Sequence, residues 1–201
     1  MHIQQLGRQP YEKVWEEMQA FTLNRQVDTE DQLWIVEHEP VFTLGLNGQS
    51  AHILADTAIP VVKTDRGGQV TYHGPGQLVI YVLLDLRRLG LAVRQLVTVL
   101  EQSMIETLAQ YGLTAQSRPE APGVYLSNGA KIGSIGLRVK KGCCYHGLSL
   151  NNDLDLKPFS CINPCGYPGL NVTRLQDQGV RIKTHELAVP VVYHLAKKLG
   201  L

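Results

Sequence analysis

Asp65-Arg66-Gly67-Gly68-Gln69-Val70-Thr71-Tyr72-His73-Gly74-Pro75-Gly76-Gln77-Leu78-Val79-Ile80-Tyr81 decides how the rest of the chain is read. Gly67-Gly68 lets backbone approach a ligand with no Cβ in between. Gln69 to Tyr72 alternates like a short strand. Gly74-Pro75-Gly76 signals a turn, and Gln77 to Leu86 is an apolar run that reads as a strand buried on both faces. The stretch predicts two strands joined by a tight turn, with Arg66 and His73 placed to form one wall of a binding slot. An ordinary hairpin would carry the same glycines.

Outward from it, the pattern alternates between periods. Pro10 opens a helix in which Tyr11, Val14, Trp15, Met18 and Phe21 share one face. Gln32 to His38, Val41 to Leu44 and Pro60 to Thr64 read as strands, with loop from Gly45 to Ala55. Val93 to Tyr111 is the clearest helix; Leu96, Val97, Leu100, Met104, Ile105 and Leu108 form its stripe and Gly112 stops it. Ser117 to Gly123 is expected as loop. Gly123 to Leu126 and Ala130 to Val139 are expected strands around Asn128-Gly129, a hairpin turn signal, and Cys143 to Leu150 follows the turn at Lys140-Lys141-Gly142. Asn151 to Pro168 lacks periodicity and reads as a long loop. Leu187 to Leu199 is a last helix, with Pro190 expected in its first turn or at a kink. The order implies an α+β fold with a mixed, mainly antiparallel sheet flanked by helices.

The chain has 201 residues, 44% hydrophobic and 18% charged, which suits a single domain over 1–201 with a real core. The formal net charge of +1 gives no field that would draw nucleic acid or a membrane surface. No apolar run reaches the length of a membrane span. Met1-His2-Ile3-Gln4-Gln5 is no signal peptide, so the expected location is cytoplasmic and the four cysteines, Cys143, Cys144, Cys161 and Cys165, are expected as free thiols.

Four side chains could carry chemistry. Cys165 lies between Pro164 and Gly166, a thiol on an irregular loop, where a nucleophile or a buried structural cysteine are both open. Lys131 begins a strand of apolar and small residues. It is either a solvated strand end or a partly desolvated proton carrier. His73 and His146 could shuttle protons or orient a ligand, or be satisfied structural residues. Zinc is disfavoured because paired Cys-x-x-Cys knuckles are missing and adjacent Cys143 and Cys144 point to opposite faces of a strand. A Cys161–Cys165 disulfide is disfavoured if that segment is extended, since their Cα atoms would lie roughly 13 Å apart. Phosphate-cradling motifs are missing. Arg138, Lys140 and Lys141 could meet an acidic protein or simply form a solvated turn.

Four blocks then resemble one family. They are Arg66 to Gln77, Lys131 to Arg138, His146 to Asn151 and Ile162 to Gly166. In this order and register they are similar to the lipoyl(octanoyl) transferases, also called lipoate-protein ligase B. The resemblance implies the fold of biotin-protein and lipoate-protein ligase catalytic domains. It also implies transfer of an octanoyl group from acyl carrier protein to a lysine of lipoyl domains in 2-oxoacid dehydrogenases and the glycine cleavage H protein. No metal, cofactor or ATP is needed, and a monomer is expected. By the same resemblance Cys165 is the acyl-thioester nucleophile, and Lys131 activates it and relays protons. Arg66, Gly67, Gly68, Gln69, Val70, Thr71, Tyr72 and His73, with Ser134, Ile135, Gly136, Gly147, Leu148 and Ser149, line the acyl pocket. Backbone N–H groups near Cys165 or in Gly147-Leu148 could hold the oxyanion, and the residues alone do not choose between them. Ser149 and Tyr125 stand where the family often has alanine and tryptophan, and Cys161 is an additional thiol. Rival readings are an ATP-dependent ligase on the same scaffold and a non-enzymatic acyl-carrier-binding protein.

Overall fold

The computed structural model describes residues 1–200. In chain order the elements are β1 (His2–Gln9), α1 (Tyr11–Leu23), β2 (Gln32–His38), β3 (Val41–Leu44), β4 (Val61–Lys63), β5 (Val70–His73), β6 (Gln77–Asp85), α2 (Val93–Gln110), β7 (Ala115–Ser117), β8 (Gly123–Leu126), β9 (Lys131–Lys140), β10 (Cys143–Asn151) and α3 (Thr184–Leu199). They form a seven-stranded sheet, β1-β2-β6-β10-β9-β8-β7, and a three-stranded sheet, β4-β3-β5. The β1–β2 and β3–β4 pairs are parallel and the other pairs antiparallel, so the sheets are mixed as expected. Among the described residues, no helix is long and apolar enough to cross a membrane.

β6 sits between β2 and β10 because both of its faces are apolar. Leu78, Ile80, Val82 and Leu84 pack with Leu96, Leu100, Met104 and Leu108 of α2 and Leu187, Val191 and Leu195 of α3. Val79, Tyr81 and Leu83 point the other way, toward Val14 and Met18 of α1. Period-2 alternation in one strand thus supplies two cores. On α2, Val97 and Ile105 are only half-buried, while Ser103 and Thr107 are buried and return their hydroxyls to Val99 and Ser103 carbonyls.

The predicted hairpin between β5 and β6 does not form. The turn exists, with Gln77 N–H on the Gly74 carbonyl at 3.2 Å. But β5 pairs with β3 in the small sheet, while β6 enters the large one. A hairpin needs the chain to fold back in plane. Here Gly76, at φ +83, lies against Asp153 and Leu154, and the chain crosses from one layer to the other. Two strands escaped the sequence reading. β1 is a polar edge strand interrupted at Gly7, and β7 is three residues long. α3 begins at Thr184, so Pro190 lies inside the helix and beyond its first turn.

The sheet itself requires a glycine at position 147. A Cβ there would lie 2.0 Å from the Ile80 carbonyl oxygen across the β6–β10 ladder. We expect Gly147→Ala to cost about 2 kcal/mol by forcing that ladder apart. Scanning calorimetry should show a fall in Tm of about 4–8 °C.

Candidate active site

Lys131 and Cys165 meet because the segment after the cysteine pairs with the start of β9. Lys131 N–H donates to the Asn171 carbonyl at 2.8 Å and Thr173 N–H donates to the Lys131 carbonyl at 2.9 Å. The cysteine turn is tied down from the other side. Asn163 N–H donates to the His52 carbonyl at 2.8 Å, Ile53 bridges Ile162, and Pro164 is buried. Within that turn Cys165 takes the left-handed conformation, φ 57, followed by Gly166 at φ 80. A residue with a Cβ held there is a strained position fixed by its surroundings.

The Lys131 ammonium lies 3.0 Å from Cys165 Sγ and donates to the Pro122 carbonyl at 3.1 Å. It is 3% exposed and sits 5.3 Å from the centre of the Tyr125 ring. Burial pushes its pKa down, but the Cys165 sulfur and Tyr125 outweigh that and hold it above the ordinary lysine value. The strand-start lysine is therefore desolvated and paired. All four cysteines are free. Cys161 and Cys165 lie in successive 3₁₀ turns, so the extended geometry assumed for that segment does not apply.

This pair opens on a cavity of about 490 Å³. Residues 66–71, 73, 134–136 and 147–149 all line it. Tyr72 does not: it belongs to the opposite face of β5, where its ring packs on Phe42 and Phe159. Gly147 and Leu148 lie between two strands, opposite Tyr81 and Ile80 of β6 and opposite Gly136 and Ile135 of β9.

Arg66 is 8% exposed and forms the cavity roof. Its guanidinium donates to Thr43 O at 2.7 Å, to Thr43 Oγ1 at 2.8 Å and to the Gly67 carbonyl at 3.0 Å. The loop it anchors is pinned to the sheet by Gly67 N–H on the Leu137 carbonyl at 2.9 Å.

His146 was singled out from sequence, but its partners Asp65, Tyr145 and Trp15 were given no role at the site. His146 adopts φ 63 in the middle of β10. That break in alternation brings it to the same side as Tyr145, and the two rings stack at 5.0 Å. Both bond Asp65, His146 Nε2 at 2.9 Å and Tyr145 through its hydroxyl, and Trp15 Nε1 adds a third donor at 2.8 Å. Burial pushes the Asp65 carboxyl up, yet these donors outweigh it and hold it well below the usual carboxylate range.

At the far side Tyr11 stacks on His73, with centroids 5.9 Å apart and planes 7° apart. His73 Nδ1 donates to Gln77 Oε1 at 2.6 Å. His38 Nδ1 donates to the Gln9 carbonyl at 3.0 Å, so Nε2 accepts from the Tyr81 hydroxyl at 2.6 Å. Burial lowers His38 to about 4; burial and the neighbouring His38 lower His73 to about 3. Both imidazoles are neutral in the fold, while an unfolded histidine titrates near pH 6.5. Below that pH the unfolded chain takes up protons that the folded chain refuses. Stability is therefore intact above about pH 6.5 and is lost as pH falls toward about 4. For His38 alone the loss is on the order of 3 kcal/mol. Urea midpoints between pH 7 and 4.5 should fall steeply in the native chain and less steeply in His38→Gln.

Comparison with known proteins gives this geometry its place. The profile of the lipoyl protein ligase A/B catalytic domain matches residues 10–196. An octanoyltransferase of Methylococcus capsulatus is 57% identical over 198 residues, covering 98% of this chain and 95% of that one. An octanoyltransferase of Cellvibrio japonicus is 60% identical over 196 residues, covering 97% and 91%. In fold the chain resembles the bipartite lipoate protein ligase of Thermoplasma acidophilum, with a TM-score of 0.79 at 16% identity over 99% of this chain and 83% of that one. It also resembles the biotin protein ligase of Aquifex aeolicus, with a TM-score of 0.59 at 14% identity over 100% and 69%. The chain belongs to the lipoyl protein ligase A/B catalytic-domain family and, within it, to the octanoyltransferases.

Proposed function

We propose that the octanoyl group passes from acyl carrier protein to a lysine of a lipoyl domain through a thioester on Cys165, with Lys131 carrying the protons. The observation that carries this reading is the 3.0 Å contact between Lys131 Nζ and Cys165 Sγ beside the cavity. An ammonium beside a sulfur stabilises the thiolate, the attacking form.

In the first half-reaction Cys165 Sγ attacks the donor's thioester carbon. The bond from that carbon to the donor sulfur breaks, and the departing thiolate takes a proton from Lys131. In the second, the acceptor amine attacks the Cys165 thioester. A C–N bond forms, the C–S bond breaks, and neutral Lys131 accepts the amine's proton. The first step exchanges one thioester for another, and the second gives a more stable amide, so no nucleotide is required. Acylation also removes the Cys165 contribution to the raised Lys131 pKa, leaving Tyr125 alone against burial, which pushes it down. The lysine is thereby readied to give up its proton when the leaving thiol needs one. The oxyanion is assigned to the Cys165 turn, and residues 66–71, 73, 134–136 and 147–149 to the acyl chain. Free thiols fit a reducing compartment, and we place the reaction in the cytoplasm.

Initial rates test this without nucleotide, with octanoyl-acyl carrier protein and a lipoyl domain both varied. The reading predicts parallel double-reciprocal lines. Intersecting lines, or transfer only from free octanoate with ATP and magnesium, would contradict it.

A further inference from the structure

The sheet register turns the cavity into a ruler. Ser134 of β9 lies opposite Ser149 of β10, which lies opposite Val79 of β6. The next row is Gly136, Gly147, Tyr81. Lys131 reaches Cys165 beside Gly123 of β8, which pairs with Ser134, so the thioester end sits at the β8–β9 edge of the cavity, just beyond Ser134. From Ser134 on β9 to Val79 on β6 is two interstrand steps, ~10 Å, comparable to the extended length of an eight-carbon chain. Along the strands the way leads instead to Asp65 and His146, which are polar.

Across the strands the path ends on Val79, which is 2% exposed, with Tyr81 beside it and the Tyr11–His73 stack. That wall is held rigid. Tyr11 Oη bonds Thr64 Oγ1 at 3.1 Å, and the Tyr81 hydroxyl donates to His38 at 2.6 Å. α1 closes the layer behind it, with Val14 and Met18 against Val79 and Tyr81.

Building on the acyl-pocket assignment above, we infer that Val79, backed by Tyr81 and the Tyr11–His73 stack, sets the acyl length limit. The chain lies across β9, β10 and β6, and its terminal methyl meets this wall. A chain longer than eight carbons must displace close-packed side chains, whereas a shorter one leaves the wall uncontacted. Each methylene gained or lost there is worth about fourfold in selectivity.

The test is kcat/KM for hexanoyl, octanoyl and decanoyl thioester donors in wild type, Val79→Ala and Val79→Leu, with Tm confirming each fold. Wild type should favour octanoyl. Val79→Ala should raise the decanoyl-to-octanoyl ratio by about four- to fifteenfold. Val79→Leu should raise the hexanoyl-to-octanoyl ratio by about fourfold. If Val79→Ala fails to fold, the Val79→Leu ratio decides. Unchanged ratios in a folded variant, or no octanoyl preference in wild type, would overturn the length limit while leaving Cys165 chemistry intact. Wild type that transfers no acyl group at all would overturn the underlying transfer reading instead.

Discussion

Replacing Cys165 with alanine should abolish octanoyl transfer, by more than about 10³-fold, and leave the protein folded. The size of the effect follows from the mechanism. Without the sulfur there is no covalent intermediate, and the donor carrier and the acceptor domain would have to meet at one site. The structural cost is small because the turn does not depend on the thiol. Asn163 on His52, the Ile53–Ile162 bridge and buried Pro164 hold it. The left-handed conformation at φ 57 strains alanine about as much as cysteine. Circular dichroism should match wild type, with Tm lowered by about 2–4 °C for the lost Lys131 contact. Cys161→Ala should retain transfer, because that thiol packs with Phe42, Tyr72 and Ile162.

Lys131 carries the second large effect, and two substitutions separate its charge from its proton. Lys131→Met removes both and should slow each half-reaction by about 10²–10⁴-fold. Lys131→Arg keeps a cation near the sulfur but does not deprotonate in a protein. Acyl-enzyme formation should then be hurt less than transfer to the acceptor amine, which needs a neutral base. Stopped reactions with each half-step isolated read this directly. Equal losses in both halves for the arginine variant would argue that Lys131 acts by charge alone. The pair also has a signature in stability. The Lys131 pKa is raised in the fold, so its contribution is present at neutral pH and lost as pH rises above the ordinary lysine value, 10.5.

The irregular turn at Cys165 and the strand start at Lys131 are legible as local signals, while the roles proposed for them come from the family resemblance. Cys165 between Pro164 and Gly166 announced an irregular turn, and Lys131 opened a strand of small residues. Their meeting was not legible from spacing. It depends on Asn171 and Thr173 pairing with the Lys131 backbone, a long-range contact without periodic signature. The buried central strand was legible in Gln77 to Leu86, since apolar residues on both faces require cover on both faces. Its partner was not, because a Gly-Pro-Gly turn specifies a change of direction and leaves open which sheet the next strand joins. Tyr72 entered the pocket because the resemblance carried the block Arg66 to His73 over whole, whereas alternation in β5 turns its ring toward Phe42 and Phe159. Tyr11 read as one more apolar residue on a helix face, and Asp65 opened the glycine-rich stretch with no role of its own. His146 joins Asp65 only because the backbone at φ 63 breaks a rule that the sequence reading relied on.

Intact-protein mass spectrometry after mixing with octanoyl-acyl carrier protein, without ATP, tests the central claim most directly. Wild type and Cys161→Ala should each gain one octanoyl group, mapped to Cys165 and discharged when a lipoyl domain is added, while Cys165→Ala gains none. Transfer to the lipoyl domain with no adduct in wild type, or an adduct that persists in Cys165→Ala, would contradict the account.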